Sequence, residues 1–252
     1  MDPIEQVRDE GQRAIDAADV HALEAALVRL ADHQRQSSDH KLQTTIHRWR
    51  GIAAIFRGDG DTARTEFHRM RDLYTMQNDE LGMANSTHDL NILDFREGRY
   101  TEVIERCLPL IATLLRLEQH VSAANATDIY ASALQQTGQL DEALTQYHKA
   151  LELYSTAQHD AGIAHAFGNI GTLYGTMGDL PKAMEAGLKA LDTFIALHDT
   201  YSIARTRTNL GYAYFRMGDL ASALEMYVKA LEGYMQVHDR ESIALAHLNI
   251  GT

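Results

Sequence analysis

The sequence predicts an all-α fold, built as a solenoid of about six antiparallel helical hairpins followed by the first helix of a seventh. Two observations carry this prediction. A 40-residue segment occurs twice in succession, at 164–203 and 204–243. Ladders of small residues continue the same period along most of the chain. Self-similarity at a fixed period of this size is typical of a repeat array, whose units bury their apolar faces against their neighbours.

Each copy of the segment contains the signals of two helices. In the first copy a small-residue motif, Asn169–Gly171, is followed by an aromatic residue, Tyr174, and then by Gly178-Asp179. The Gly-Asp pair is typical of a helix end and the start of the next helix. An apolar segment with helical periodicity follows, over Ala183–Phe194. The segment therefore predicts two amphipathic helices joined by a tight turn.

The ladders extend this reading toward both ends of the chain. One ladder consists of glycines placed to end the first helix of a hairpin, at Gly58, Gly98, Gly138, Gly178 and Gly218. Two others pass through Gly171 and Ala183 and hold small residues at most steps. The predicted units are approximately 4–40, 41–81, 82–121, 122–163, 164–203 and 204–243, with a partial unit at 244–252. Because this last unit stops in mid-pattern, we expect the natural chain to continue.

Composition limits the classes of partner. The formal net charge of −12 argues against broad binding to nucleic acid or to anionic membranes. No stretch is apolar enough to predict a membrane span, and we expect a soluble protein. Cys107 is the single cysteine, which excludes an intrachain disulfide and fits a reducing cytoplasm.

Residues capable of chemistry do not form a recognisable catalytic motif. His-Asp pairs occur at four places: His88-Asp89, His159-Asp160, His198-Asp199 and His238-Asp239. Three of them fall once per repeat at a turn, where we expect the Asp to cap the next helix rather than to bind a metal. The register of Cys107 predicts a buried, inert thiol. We therefore expect no catalytic residue, no bound metal and no cofactor in this segment.

The succession of small residue, aromatic residue, Gly-Asp, alanine and aromatic residue resembles the tetratricopeptide repeat. The period departs from the family pattern, since the usual repeat has about 34 residues. Under one extra turn in each helix accounts for the difference. The resemblance implies a right-handed superhelix in which the first helix of each unit lines a concave groove.

The resemblance also implies which residues face that groove. The position two residues before the small Gly holds Trp49, Asp89, Ile129, Asn169, Asn209 and Asn249. In peptide-binding members this position grips the ligand backbone or a terminal carboxylate, and a carboxamide can satisfy both an N–H and a C=O. In other repeats an Asn at this position only bonds the neighbouring helix, and this alternative stays open. Neighbouring groove positions hold His165, Arg205, Thr172, Tyr212, Thr176 and Arg216. The family's carboxylate clamp is not reproduced, because Gly168 and Thr208 occupy its lysine positions.

The function expected from these features is a non-catalytic scaffold that binds a protein or peptide in the groove. The basic side chains favour an acidic or carboxylate-bearing ligand. An alternative is the N-terminal regulatory region of a larger signalling enzyme, a diguanylate or adenylate cyclase or a histidine kinase, whose enzymatic domain would follow Thr252. A peptide-sensing regulator of the quorum-sensing type is disfavoured, because the ladder from Gly11 leaves no room for an N-terminal effector module. A homodimer formed through an exposed terminal helix is also plausible.

Overall fold

The computed structural model describes residues 3–17, 19–35 and 39–251, and within these ranges it contains thirteen α-helices and no strand. The predicted all-α fold of six hairpins followed by a single helix is confirmed. Within the described ranges no helix combines the length and the apolar character that crossing a bilayer requires.

The chain forms two compact units, Met1–Leu117 and Glu118–Thr252. We call them the N-terminal and the C-terminal unit. The helices of the N-terminal unit are α1 (Pro3–Asp16), α2 (Val20–Gln34), α3 (His40–Phe56), α4 (Gly60–Met76), α5 (Glu80–Arg96) and α6 (Tyr100–Arg116). Those of the C-terminal unit are α7 (His120–Gln136), α8 (Leu140–Thr156), α9 (Asp160–Met177), α10 (Leu180–Ala196), α11 (Thr200–Met217), α12 (Leu220–Gln236) and α13 (Arg240–Gly251). In each unit, odd-numbered helices are the first helices of hairpins.

Packing inside a hairpin places an aromatic side chain of the second helix on a small residue of the first. In the N-terminal unit a Cβ at Gly51 would lie 2.4 Å from the Phe67 ring, so only glycine fits there. In the C-terminal unit a Cβ at Gly211 would lie 2.7 Å from the Tyr227 ring. These contacts let the two helix axes approach closely, and they account for the small-residue ladder.

The N-terminal unit also buries charged side chains. Asp94 on α5 is only 1% exposed, and it pairs with Arg64, Arg99 and Arg106. Asp89, one turn earlier, accepts two hydrogen bonds from the Arg48 guanidinium, at 2.8 and 3.3 Å. Removing one partner of such a buried pair leaves an uncompensated charge, so these residues hold neighbouring helices in a defined register.

Short turns of similar geometry end the helices. The predicted stop at Gly178-Asp179 is confirmed: Gly178 adopts a left-handed conformation with φ of 84°, and the Asp179 side chain caps α10 by accepting from the Lys182 N–H. The second helices end differently. Their left-handed residues are Asn78, Glu118, Gln158, His198 and His238, with φ between 51° and 58°. Residues other than glycine are strained in this left-handed backbone conformation.

This difference predicts opposite effects of glycine and alanine at the two kinds of turn. Gln158→Gly should raise the free energy of unfolding by about 0.5–1 kcal/mol, because relief of left-handed strain exceeds the added freedom of the unfolded chain. Gly178→Ala should lower it by about 1–2 kcal/mol. Urea denaturation followed by circular dichroism measures both changes. As a control, Glu152→Gly inside α8 should destabilise by up to about 1 kcal/mol, and a loss of stability in Gln158→Gly would contradict the account.

Candidate functional site

Three first helices of the C-terminal unit carry an Asn at the same repeat position. Asn169 lies on α9, Asn209 on α11 and Asn249 on α13. The side chains of Asn169 and Asn209 reach toward the first helix of the preceding hairpin. Whether the Asn side chain is bonded inside the protein depends on the residue 41 positions earlier, which lies on that neighbouring helix.

Asn169 is used inside the protein. Its Nδ2 contacts both carboxylate oxygens of Asp128 on α7, at 2.9 and 3.1 Å. Arg48 and Asp89 in the N-terminal unit are also 41 positions apart and make the equivalent contact. Burial raises the pKa of Asp128 to about 6, while the Asn169 hydrogen bond and the charge of Arg205 act in the opposite direction. Sequence reasoning did not single out Asp128.

His165 and Arg205 form a second contact between first helices. The Arg205 guanidinium lies 3.4 Å from His165 Nδ1, and the His165 ring packs edge-on against Phe194 with ring centres 5.0 Å apart. Burial, and then the charge of Arg205, lower the pKa of His165, which keeps the imidazole neutral at physiological pH. Neither side chain lines the pocket described next.

A pocket of about 540 Å³ lies between α9, α10, α11, α12 and α13. Six residues predicted to face the groove line it: Thr172, Thr176, Asn209, Tyr212, Arg216 and Asn249. The other lining residues are mostly small or apolar: Gly168, Gly171, Gly175, Ala183, Gly187, Thr206, Thr208, Leu210, Ala213 and Tyr227. Among these described residues none is Asp or Glu. The structure therefore brings together six of the predicted residues and leaves Asn169, His165 and Arg205 outside.

Arg216 supplies the positive charge of this pocket. Its Nη1 donates to the Tyr212 hydroxyl at 2.8 Å, and its guanidinium carbon lies 5.6 Å from the centre of the Tyr212 ring. In the described part of the chain Arg216 forms no ion pair. Since Tyr212 is 47% exposed, the guanidinium is held at the rim and open to solvent.

Asn209 crosses the pocket rim between α9 and α11. Its Nδ2 donates to the Thr172 hydroxyl at 3.1 Å. The residue 41 positions before Asn209 is Gly168, which has no side chain, so Asn209 lacks the buried partner that Asn169 has in Asp128. No described residue donates to the Asn209 side-chain oxygen, and that oxygen can accept a hydrogen bond from a ligand.

Four glycines shape the interior of the pocket in two ways. A Cβ at Gly171 would lie 3.1 Å from the Ala183 carbonyl oxygen, so the α10 backbone crowds this position, and one at Gly187 would lie 2.8 Å from the end of the Leu210 side chain, which would have to move. Gly168 and Gly175 are different, because a Cβ at either would meet no atom within 4 Å. Their absent side chains leave space.

The open space can be recognised in the sequence, because two repeat positions that hold larger residues in other hairpins hold glycine here. The search for polar and reactive side chains did not detect it. In the repeat register of Gly187 the other hairpins carry Phe67, Cys107, Tyr147 and Tyr227. In the register of Gly175 they carry Ile55, Phe95, Gln135 and Phe215. The α9–α10 hairpin therefore lacks two larger side chains that its neighbours have.

The His-Asp pairs are turn and core residues. Asp199 and Asp239 cap helices as predicted, accepting from the Ser202 and Ser242 N–H groups at 3.0 and 3.2 Å. For His159-Asp160 the prediction that the Asp caps the helix is wrong. His159 caps α9 instead, with Nδ1 accepting from the Gly162 N–H at 3.0 Å. The pair is shifted by one residue, so its His falls at the capping position. Among the described residues no three His, Cys, Asp or Glu side chains are grouped so that they could hold a metal ion.

Cys107 is buried, as its register predicts. Its side chain is fully enclosed, and burial raises the pKa of the thiol to about 12. The Asn91 amide donates to the sulfur at 3.4 Å. A protonated and inaccessible thiol is unreactive toward electrophiles.

Comparison with known sequences identifies the repeats. Three sequence models, each described as tetratricopeptide repeat, match residues 122–196, 203–244 and 45–69. Among curated proteins no sequence matches the chain.

Solved structures share the fold at low sequence identity. A Rap protein complexed with competence and sporulation factor superposes with a TM-score of 0.81 at 16% identity, covering 96% of this chain and 67% of the other. NprR in complex with its cognate peptide NprX gives 0.72 at 14% identity, covering 98% and 73%. BtubC from P. vanneervenii gives 0.67 at 19% identity, covering 95% and 94%. At these identities the likeness concerns the fold alone.

Asp128 predicts a pH-dependent stability. Because its pKa is higher in the folded chain than the ordinary value of 3.8, the folded chain binds more protons, and stability falls as the pH rises from 3.8 to about 6. Asp128→Asn removes this titration. The variant should be more stable than the wild type by about 1–3 kcal/mol near pH 7.5, and the difference should shrink toward pH 4. Urea denaturation at both pH values measures it; Asp192→Asn, at an exposed site on α10, is the control. A constant difference at all pH values would contradict the assignment.

The two kinds of glycine predict opposite effects of alanine. Gly168→Ala and Gly175→Ala should each raise the free energy of unfolding by about 0.5–1 kcal/mol, because alanine favours the helix and meets no neighbour. Gly171→Ala should lower it, since the added methyl approaches backbone atoms of α10. Thermal and urea denaturation measure the sign of each change. Destabilisation by Gly175→Ala would show that this glycine is needed for folding.

Proposed function

Because the chain belongs to the tetratricopeptide repeat family, we propose that it is a non-catalytic binding protein that holds a peptide in the pocket of its C-terminal unit. The observation that carries the proposal is the meeting of Asn209, Tyr212 and Arg216 at one rim above an apolar interior. Concave pockets of about 300–1,000 Å³ with a few convergent polar groups are the usual form of a ligand site.

The polar rim suits a peptide. A side-chain amide such as that of Asn209 can hydrogen-bond to either group of an extended backbone, so it holds a peptide without demanding one sequence. The neighbouring hydroxyls of Thr172 and Thr176 are exposed, and since their protons are donated to the Gly168 and Thr172 carbonyls, their oxygens add acceptors. Two of the structurally similar proteins also support this class of ligand: NprR was solved with its cognate peptide, and a Rap regulator of plasmid pLS20 with the Phr* peptide.

Charge favours an acidic peptide or one that ends in a free carboxylate near the rim. The protein is acidic overall, whereas the pocket has Arg216 and no lining Asp or Glu among its described residues. A guanidinium forms bidentate, charge-assisted hydrogen bonds with a carboxylate. The alternative function, regulation of an attached cyclase or histidine kinase, gains no support from the matched structures.

A peptide-display experiment tests this proposal. The full chain is immobilised and selected against random octapeptides with free carboxyl ends, and enriched peptides are labelled for fluorescence anisotropy. We expect enrichment of acidic peptides, with affinity reduced by about ten-fold or more in Arg216→Ala, because a charge-assisted bond is lost. Asn209→Ala should weaken binding less.

Arg240→Ala is the matched control, since Arg240 is exposed on α13 outside the pocket. Its affinity should equal that of the wild type. A selection that enriches no peptide, or peptides whose affinity is the same for Arg216→Ala and Arg240→Ala, would refute the proposed function.

A further inference from the structure

The interior of the pocket differs in chemistry from its rim. Below Asn209 and Arg216 the walls consist of the glycine backbone of α9, Leu210, Ala213 and the buried Tyr227. Resting on the proposed function, we propose that this interior receives one aromatic side chain of the bound peptide, from a residue whose own or adjacent carboxylate meets Arg216.

The first argument is space. Nothing lies within 4 Å of the Cβ positions of Gly168 and Gly175, which are seven residues and about two turns apart on one face of α9. The bare backbone there gives a flat wall that a ring can approach closely. A cavity of about 150 Å³ already holds benzene, and this pocket has about 540 Å³. It therefore has room for a ring together with part of the peptide backbone.

The second argument is the repeat register. In other hairpins an aromatic ring of the second helix, such as Phe67 or Tyr227, covers the small residue of the first. In the α9–α10 hairpin the corresponding pair is Gly171 and Gly187, and the chain supplies no ring of its own. Leu210 from the next first helix covers only the Gly187 side. Because the α10 backbone already closes on Gly171, an incoming ring would lie beside that contact, against Gly168 and Gly175, and would supply the aromatic surface that this hairpin lacks.

The third argument is the surrounding surface. Tyr227 and Tyr212 line the pocket on the side of α11 and α12, and aromatic pairs in edge-to-face or offset contact gain stability beyond simple burial. Arg216 is held on the Tyr212 hydroxyl at 2.8 Å, so the positive charge lies next to the aromatic region. A ligand that combines an aromatic ring with a nearby carboxylate can contact the tyrosine rings and pair with the Arg216 guanidinium at the same time.

The test uses the full chain labelled with ¹⁵N-glycine and two small probes. N-acetyl-L-tryptophan has the ring and the carboxylate, and N-acetyl-L-alanine has the carboxylate alone. We expect the tryptophan probe to shift the amide signals of Gly168, Gly175 and Gly187 in a saturable manner at millimolar concentrations, as suits its size. At the same concentrations the alanine probe should leave these three signals in place. Signals of the turn glycines, such as Gly138, report non-specific effects.

A pocket-filling variant and a matched control complete the test. Gly175→Leu places a side chain in the open space, where its Cβ meets no atom and leucine favours the helix, so the variant should fold and lose the tryptophan-induced shifts at Gly168 and Gly187. Gly251→Leu makes the same change at another open position, outside the pocket, and should keep them. Equal shifts from both probes, or tryptophan shifts that survive in Gly175→Leu, would overturn the inference.

The peptide selection separates this inference from the proposed function. If peptides are enriched and depend on Arg216 but show no preference for an aromatic residue, the peptide site stands and the aromatic subsite is wrong. If no peptide is enriched while N-acetyl-L-tryptophan binds as described, the proposed function fails and the pocket accepts free aromatic acids. N-acetyl-L-tryptophanamide, which lacks the carboxylate, should bind more weakly than the acid, and equal binding would remove Arg216 from the subsite.

Discussion

The close contact between facing positions on the first and the second helix is the constraint on which the hairpins depend. Gly51 under Phe67 and Gly211 under Tyr227 show its usual form, because any side chain on these glycines would collide with the ring. The contact sets the distance between the two helices and thereby the position of the groove-facing side chains. A repeat of this kind has no separate core, so each unit must close this contact with its own residues.

The α9–α10 hairpin meets this constraint without an aromatic residue, and the candidate site is the result. Gly171 and Gly187 let the backbones of α9 and α10 come together, with a Gly171 Cβ only 3.3 Å from the Gly187 nitrogen. Gly168 and Gly175 are not required for that approach, and each glycine in a helix interior costs about 0.5–1 kcal/mol of stability. Residues that break a local rule without a packing reason are characteristic of functional sites. Here the two helix-interior glycines that packing does not require, Gly168 and Gly175, both line the pocket.

The repeat pattern was sufficient to predict the fold, but only part of the site. Hairpins, glycine stops and Asp caps follow from local chemistry, which a single repeat already displays, and the structure confirms them at Gly178-Asp179. Six groove residues on the first helices α9, α11 and α13 line one pocket, as expected from their repeat positions. A bond from Asn169 to the neighbouring helix was one expected alternative, but its partner was not predicted, because Asp128 belongs to a different repeat and only packing places the two side chains 2.9 Å apart. The pocket itself arises from missing side chains, which a search for chemical groups does not detect.

One repeat position therefore has two uses, and the residue 41 places earlier decides between them. Asp89 is held by Arg48 and Asn169 by Asp128, so both side chains link neighbouring first helices. Asn209 stands in the same register, but its counterpart is Gly168, which offers no group to bind. The same glycine that opens the pocket thus also leaves the Asn209 amide without the buried carboxylate that holds Asn169, and the amide lies at the pocket rim instead.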